Sequence, residues 1–248
     1  MDTNEIALAA AAVTGARHVR AQRNGQDAVA TWRGEHASVV VVCDGCGSSA
    51  SSEVGAGLGA RLFARALGEL LDGGAAVDDA ATWTAARERV RGALVELVTR
   101  LAGDALHDQL LFTIAAAAAC GDAGAVWILG DGAYAFDGDV RTIGPFADNA
   151  PPYLGHDLLA WPPQAACFAL APRDWRSIVI ATDGAAELDL AAIARDARFV
   201  THPDALRRHL VVQARASERV EWDARRIART PALLQDDCAI GILNRSAA

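Results

Sequence analysis

Carboxylates stand at the ends of short apolar runs at five places in this chain. Val39, Val40, Val41 and Val42 run through Cys43 into Asp44-Gly45-Cys46-Gly47. Four β-branched residues in a row read as a strand buried on both faces. The glycines after it let the backbone turn sharply and bring a peptide carbonyl close to whatever Asp44 holds. The pattern recurs at Gly130-Asp131-Gly132 after Ile128 and at Thr182-Asp183-Gly184 after Ile178. Asp236-Asp237 precedes the last apolar run, and Asp27 opens the run 28–32. Carboxylates gathered from several strand ends repel unless cations sit among them. An all-oxygen cluster selects Mg²⁺ or Mn²⁺ over zinc. Two such ions about 4 Å apart can generate hydroxide and hold a phosphoryl oxygen, the chemistry of phosphoester hydrolysis. Each Asp-Gly alone reads better as a structural turn. The set reads as a metal site, and Asp137-Gly138 stays a hairpin turn.

The elements that must position these acids follow from pattern. Residues 6–13 suit a strand or a short helix, and 15–27 read as a polar loop. The runs 28–32 and 39–42 form the simplest hairpin, which sets Asp27 and Asp44 on one edge of a sheet. Val54, Leu58, Leu62, Ala66 and Leu70 recur every four residues, an amphipathic helix ended by Gly73-Gly74. A second helix is expected over 79–101, with Val90, Leu94, Leu97 and Leu101 on one face. Short apolar runs at 110–120, 125–130, 134–136, 167–170 and 177–181 have the spacing of a β-meander. The loop 148–155 is placed to cover a site, with Pro162-Pro163 beyond it. Two further helices are expected within 189–228, and 238–243 closes the chain as a strand. The order is α+β rather than alternating βαβ, and no composition shift marks a linker, so a single domain over 1–248 is expected.

The chain has 248 residues, a formal charge of −8 and 52% hydrophobic residues. That acidity argues against nonspecific nucleic-acid binding, and all 23 positive charges are arginine. No apolar stretch approaches the roughly 20 residues of a membrane span. The acidic opening, with Asp2 and Glu5, reads as no signal peptide. Five scattered cysteines suit a reducing compartment, so the cytoplasm is expected. Cys43 and Cys46 form a C-x-x-C that invites a thiol-redox reading, but Cys43 fits a core position and Cys46 a site lining better. Gly55-Ala-Gly57-Leu-Gly59 mimics a dinucleotide fingerprint inside a helical pattern; small residues for close helix–sheet packing explain it better. His18 suits either a substrate contact or a loop cap, and Trp83, Trp161, Trp175 and Trp222 suit packing.

In order, Asn24-Gly25-Gln26-Asp27-Ala28, Val42-Cys43-Asp44-Gly45-Cys46-Gly47, Gly130-Asp131-Gly132, Thr182-Asp183-Gly184 and Asp236-Asp237 resemble the motifs of the metal-dependent protein phosphatases (PPM, type 2C). The likeness runs over about 15–243 and is greatest to a compact bacterial branch. It implies a four-layer α-β-β-α sandwich, two antiparallel sheets flanked by helices, with two Mn²⁺ or Mg²⁺ ions at one end. By resemblance Asp44 bridges the two ions, the Gly45 carbonyl binds one, and Asp183 and Asp236 hold the other. Asp27 anchors metal-bound water. Asp131, with Asp183 and Glu187, matches a weaker third site. The implied activity is hydrolysis of phosphoserine or phosphothreonine in a protein, the partner of a Ser/Thr kinase, by metal-activated water. Three positions depart from the family. Cys46 stands where a proton-donating histidine is frequent, Gln26 stands where glutamate is frequent, and Arg20 and Arg23 are the nearest candidates for the phosphate-binding arginine. The alternative implied by these departures is a phosphatase-fold module that only binds a phosphorylated partner.

Overall fold

The computed structural model describes residues 6–101, 103–159, 163–202 and 204–245, without the side chain of Asn149. Trp161 and Pro162 lie outside the described residues. Among these residues, no helix is long and apolar enough to cross a membrane.

The elements follow in the order β1 (Ile6–Val13), α1 (Ala16–Ala21), β2 (Ala28–Arg33), β3 (Ala37–Cys43), α2 (Ser52–Asp72), α3 (Ala80–Val98) and α4 (Ala105–Gln109). Then come β4 (Ile114–Cys120), β5 (Ala123–Leu129), β6 (Gly132–Phe136), β7 (Asp139–Ile143), β8 (Cys167–Leu170) and β9 (Ser177–Ala181). The last part is α5 (Leu190–Arg195), α6 (Arg198–Thr201), α7 (Ala205–Gln213), β10 (Ser217–Glu221), β11 (Arg226–Thr230) and β12 (Cys238–Arg245). One sheet runs β2-β3-β4-β5-β8 and the other β1-β12-β9-β6-β7, with β10-β11 apart as a two-stranded ribbon. Every pairing is antiparallel.

Alternation along β3 explains the packing. Val39, Val41 and Cys43 face α2 and α3, where Phe63, Leu67, Trp83, Val90 and Leu94 meet them. Val40 and Val42 point the other way, onto Ile178, Ile180 and Leu243 of the second sheet. That sheet's outer side carries Val179, Ala181, Ile240 and Ile242 against Ile193, Phe199, Leu206 and Leu210. A strand buried on both faces must be apolar throughout, and β3 is. This packing order is what a helix–sheet–sheet–helix stacking requires.

The buried face of α2 differs from the expected stripe. Val54 is exposed and Leu58, Leu62 and Leu70 are only partly buried, while Gly55, Ala56, Gly59, Ala60, Phe63, Ala64, Leu67 and Leu71 form the inner side. A strict four-residue repeat drifts around a 3.6-residue helix. The small residues let the helix settle close: Gly55 abuts the backbone of Gln109, Gly59 the ring of Phe112 and Gly68 the indole of Trp32. In α3, Leu94 is buried, whereas Leu101 lies beyond its end and is exposed. The stretch 15–27 holds α1, and β7 completes a hairpin across Asp137-Gly138. Where two helices were expected in 189–228 there are three short ones and the β10-β11 hairpin. Trp222, expected in packing, is 82% exposed at that hairpin.

Register sets the site. Ala28 pairs with Cys43, so Asp27 and Asp44 leave the first sheet at one edge. Ala181 pairs with both Ala133 and Ile240, so Asp131, Asp183 and Asp236 leave the second sheet together.

Gly59→Ala should destabilise the protein by about 1–3 kcal/mol, because its methyl group would enter the Phe112 ring. Gly92→Ala, in the interior of α3 with open space around it, should stabilise by about 0.5–1 kcal/mol. Urea denaturation of both variants measures the contrast, and equal midpoints would remove the close-packing explanation.

Candidate active site

The turn after β3 is stitched to the segment before β4. Thr113 N donates to Asp44 O at 2.8 Å and Cys46 N to Leu111 O at 2.9 Å. Gly45 N donates to Gln26 O at 3.2 Å, and a side chain at Gly45 would press on that same carbonyl and on Ser52. Glycine is needed there for space. Across the sandwich, Thr182 Oγ1 donates to Asp27 Oδ2 at 2.6 Å and accepts from Ala239 N at 2.9 Å. One hydroxyl thus ties the acid of β2 to the edge formed by β9 and β12.

Asp44, Asp131, Asp183, Asp236 and Asp237 line one cavity of about 230 Å³. Gly45, Cys46, Gly47 and Gln26 complete its wall on the β3 side, Pro151 and Tyr153 come from the loop after β7, and Arg17 and His18 come from α1. Among the described residues the acids do not close on one point as a ready cage; they ring a space, as suits ions that keep several waters. Asp27 is half-buried beside Asp44, outside the residues that line the cavity.

Burial and mutual repulsion raise Asp27, Asp44, Asp131 and Asp183 above the ordinary carboxylate range. Desolvation lifts Asp27 from 3.8 to about 8, the Thr182 hydrogen bond offsets part of it, and the charge of Asp237 adds to it. Asp44 is pushed well up by burial, then by Asp27 and Asp183. Asp183 is raised by burial and by Asp236, and Asp131 by burial and by Asp183. Asp131 Oδ1 and Gln26 Oε1 are buried with no hydrogen-bond partner among the described residues. Stranded acceptors and crowded carboxyls are what a cation would relieve, so the donor set fits hard divalent ions.

Among the acids lining the cavity, Asp237 takes three donors. Gly15 N reaches it at 2.7 Å, Gln26 N at 2.6 Å and His18 Nδ1 at 2.7 Å. His18 therefore clamps the loop. Gln26 Nε2 bonds Ser52 Oγ at 2.6 Å. Cys46 Sγ lies 3.2 Å from Ser48 Oγ and lines the cavity together with Tyr153. Burial alone would raise this thiol, but hydrogen bonds from Ser48, Tyr153 and Ser49 bring it below its ordinary value. Cys43 is fully buried, as expected. The loop bearing Tyr153 is pinned to α3 by Arg87, whose Nε and Nη2 grip Asp157 at 2.6 and 2.7 Å, both side chains being almost fully buried.

Three expected site residues lie elsewhere. Arg20 reaches the Gln235 side chain at 3.3 Å, and Arg23 reaches the carbonyls of Gly47 and Ser49. Glu187 lines a neighbouring groove instead of the acid cavity. The arginine at the cavity is Arg17. Its helix is docked by Ala16 N to Leu234 O and Arg17 N to Gln235 O, long-range contacts that no local pattern announces. Asp237 and Tyr153 stood in motifs that drew attention to their neighbours.

A family model described as protein phosphatase 2C matches residues 14–225. The chain belongs to the protein phosphatase 2C family. Asp236 lies past the matched stretch, in the strand-end turn that the second sheet brings back to the cavity. Solved structures share the phosphatase 2C fold at low identity. The Streptococcus agalactiae (S. agalactiae) serine/threonine phosphatase is 14% identical with a TM-score of 0.63, covering 98% of this chain and 100% of its own. Serine/threonine phosphatase Stp1 from Staphylococcus aureus is 13% identical with a TM-score of 0.61, covering 100% and 98%. RsbX in complex with magnesium is 13% identical with a TM-score of 0.51, covering 97% and 96%. No curated protein matches the chain.

The raised carboxyls give the metal-free protein a definite pH dependence. Unfolded, Asp27 titrates at its ordinary 3.8; folded, at about 8. Between those values the folded state holds more protons, so stability falls as pH rises through that window. In chelator, the melting temperature at pH 8 should be lower than at pH 5, by about 2–4 °C for each kcal/mol lost. A flat profile, or a rise, would mean that Asp27 is ionised in the folded protein.

Proposed function

We propose that this chain is a Mn²⁺- or Mg²⁺-dependent phosphoprotein phosphatase that hydrolyses phosphoserine or phosphothreonine. The observation that carries the reading is the meeting of Asp44, Asp131, Asp183 and Asp236 in one cavity beside Arg17, in a chain of this family. Asp44, the Gly45 carbonyl, Asp183 and Asp236 would hold two divalent ions, with Asp131 at a third, weaker position. Bound there, such ions polarise a phosphoryl oxygen and supply a nucleophile at neutral pH. Arg17 binds phosphate oxygens through its guanidinium, the role expected of Arg20 and Arg23. Asp27, behind Asp44, orients the attacking water through the wall of the cavity. Cys46, with Tyr153 beside it, protonates the leaving oxygen. The substrate is a protein phosphorylated by a Ser/Thr kinase.

Gln26 and Cys46 favour the second reading, a module that only holds a phosphorylated partner. Activity separates the two. Asp183→Asn should reduce Mn²⁺-dependent hydrolysis of p-nitrophenyl phosphate at least a hundredfold, with a folded protein by circular dichroism; near wild-type turnover at saturating Mn²⁺ would remove Asp183 from the site. No hydrolysis by the wild type, with or without Mn²⁺, would favour the module.

If Cys46 protonates the leaving group, Cys46→His should speed phosphoserine peptides about tenfold, below the roughly 10²-fold of an evolved general acid. Aryl phosphates, whose leaving groups need no proton, should hardly change. The check is the ratio of kcat/KM for the two substrates across pH. An unchanged ratio would leave Cys46 outside proton transfer.

A further inference from the structure

A second cavity opens from the acid site. It shares Arg17, Asp183 and Asp236 with that site, and its volume is about 1020 Å³ against 230 Å³. Ligand pockets for small molecules run about 300–1,000 Å³, so this groove has room for far more than a phosphate. Beyond the shared residues it follows Glu187, Val212 and Arg215 at the end of α7, then Ser217 and Thr230 at the base of the β10-β11 hairpin, and Leu233. Val212 is 67% exposed and Leu233 is 42% exposed, apolar lips that meet solvent.

A phosphorylated serine side chain is short. With its phosphate in the small cavity, the main chain must lie at that cavity's mouth and the neighbouring residues must fall into whatever space opens from it. The groove is that space. Its charge changes along its length, with Asp183, Asp236 and Glu187 toward the acid cavity and Arg215 toward the hairpin. Residues 215–230 carry five arginines against three acids in a chain of net charge −8. Arg219, Arg226 and Arg229 are taken up by Glu221 and Glu218 within the hairpin. Arg215 is exposed, its backbone amide donates to Val212 O at 3.3 Å, and its guanidinium has no hydrogen-bond or ion-pair partner among the described residues. A guanidinium left free at the end of a groove is a ready partner for a carboxylate.

We propose that this groove binds the polypeptide flanking the phosphorylated residue and that Arg215 selects an acidic side chain in it. The inference rests on the phosphatase reading and adds a substrate class, phosphoproteins acidic next to the phosphosite. The hairpin positions the far wall of the groove, and Val212 and Leu233 cover an apolar part of the bound segment.

The test uses the full chain with Mn²⁺ and three probes: p-nitrophenyl phosphate, a phosphoserine peptide flanked by glutamates, and the same peptide flanked by lysines. The wild type should prefer the acidic peptide by tenfold or more in kcat/KM. In Arg215→Glu, the ratio of kcat/KM for the acidic peptide to that for p-nitrophenyl phosphate should fall about tenfold, and Arg215→Lys should recover much of it. Arg215 is exposed, so the variants should keep the wild-type melting temperature. Equal rates for the two peptides, or a preference that Arg215→Glu leaves intact, would overturn the proposal. Anisotropy titration of the same labelled peptides makes the comparison without turnover. Failure to hydrolyse any probe would sink the phosphatase reading, while binding would still decide for or against the groove.

Discussion

Crowding of negative charge in a poorly solvated space is the constraint on which the rest of this structure turns. Two sheets end their strands at the same place, and acids from both meet across the gap. Buried carboxyls cost free energy unless hydrogen-bonded or neutralised. The protein offsets part of that cost with its own groups: Thr182 bonds Asp27, and Asp237 takes two backbone amides and a histidine. The rest stays uncompensated, visible in Asp131 Oδ1, which has no hydrogen-bond partner among the described residues. If cations relieve that crowding, the order of the site's walls is coupled to what it binds.

The division between rigid and adaptable parts follows from position. The acids sit one residue or two beyond strands whose pairing fixes them. The other lining residues Arg17, Cys46, Gly47 and Tyr153 sit on turns and short helices around the cavity. Of the two departures that line the cavity, Cys46 is partly exposed and Gln26 is almost fully buried. Gln26 keeps its place by hydrogen-bonding Ser52 and sealing the base of α2, a structural task that its amide performs in place of a charge.

What was legible in the sequence was what alternation and strand ends encode. Val39 to Val42 announced a doubly buried strand, and the acids after such runs announced a common edge, because antiparallel pairing brings those ends together. Legibility failed where long-range contacts decide. Arg17 faces the cavity only because α1 docks on the turn at 234–235, some 220 residues away in the chain. The stripe from Val54 to Leu70 was misread because the buried side of α2 is built from glycine and alanine, which carry little hydrophobic signal yet permit contact with Phe112 and Trp32. The β10-β11 ribbon pairs Val220 with Ile227 among arginines and glutamates, a composition that reads equally well as a charged helix.

The grip of Arg87 on Asp157 has an evolutionary side. Losing either partner alone strands a desolvated charge, at a cost of about 3–5 kcal/mol, whereas replacing both with apolar groups of matching volume is often neutral. Single-step drift through this pair is therefore closed, and descendants of this chain keep both residues or exchange both. The strap carrying Pro151 and Tyr153 to the cavity is inherited with its fastening to α3.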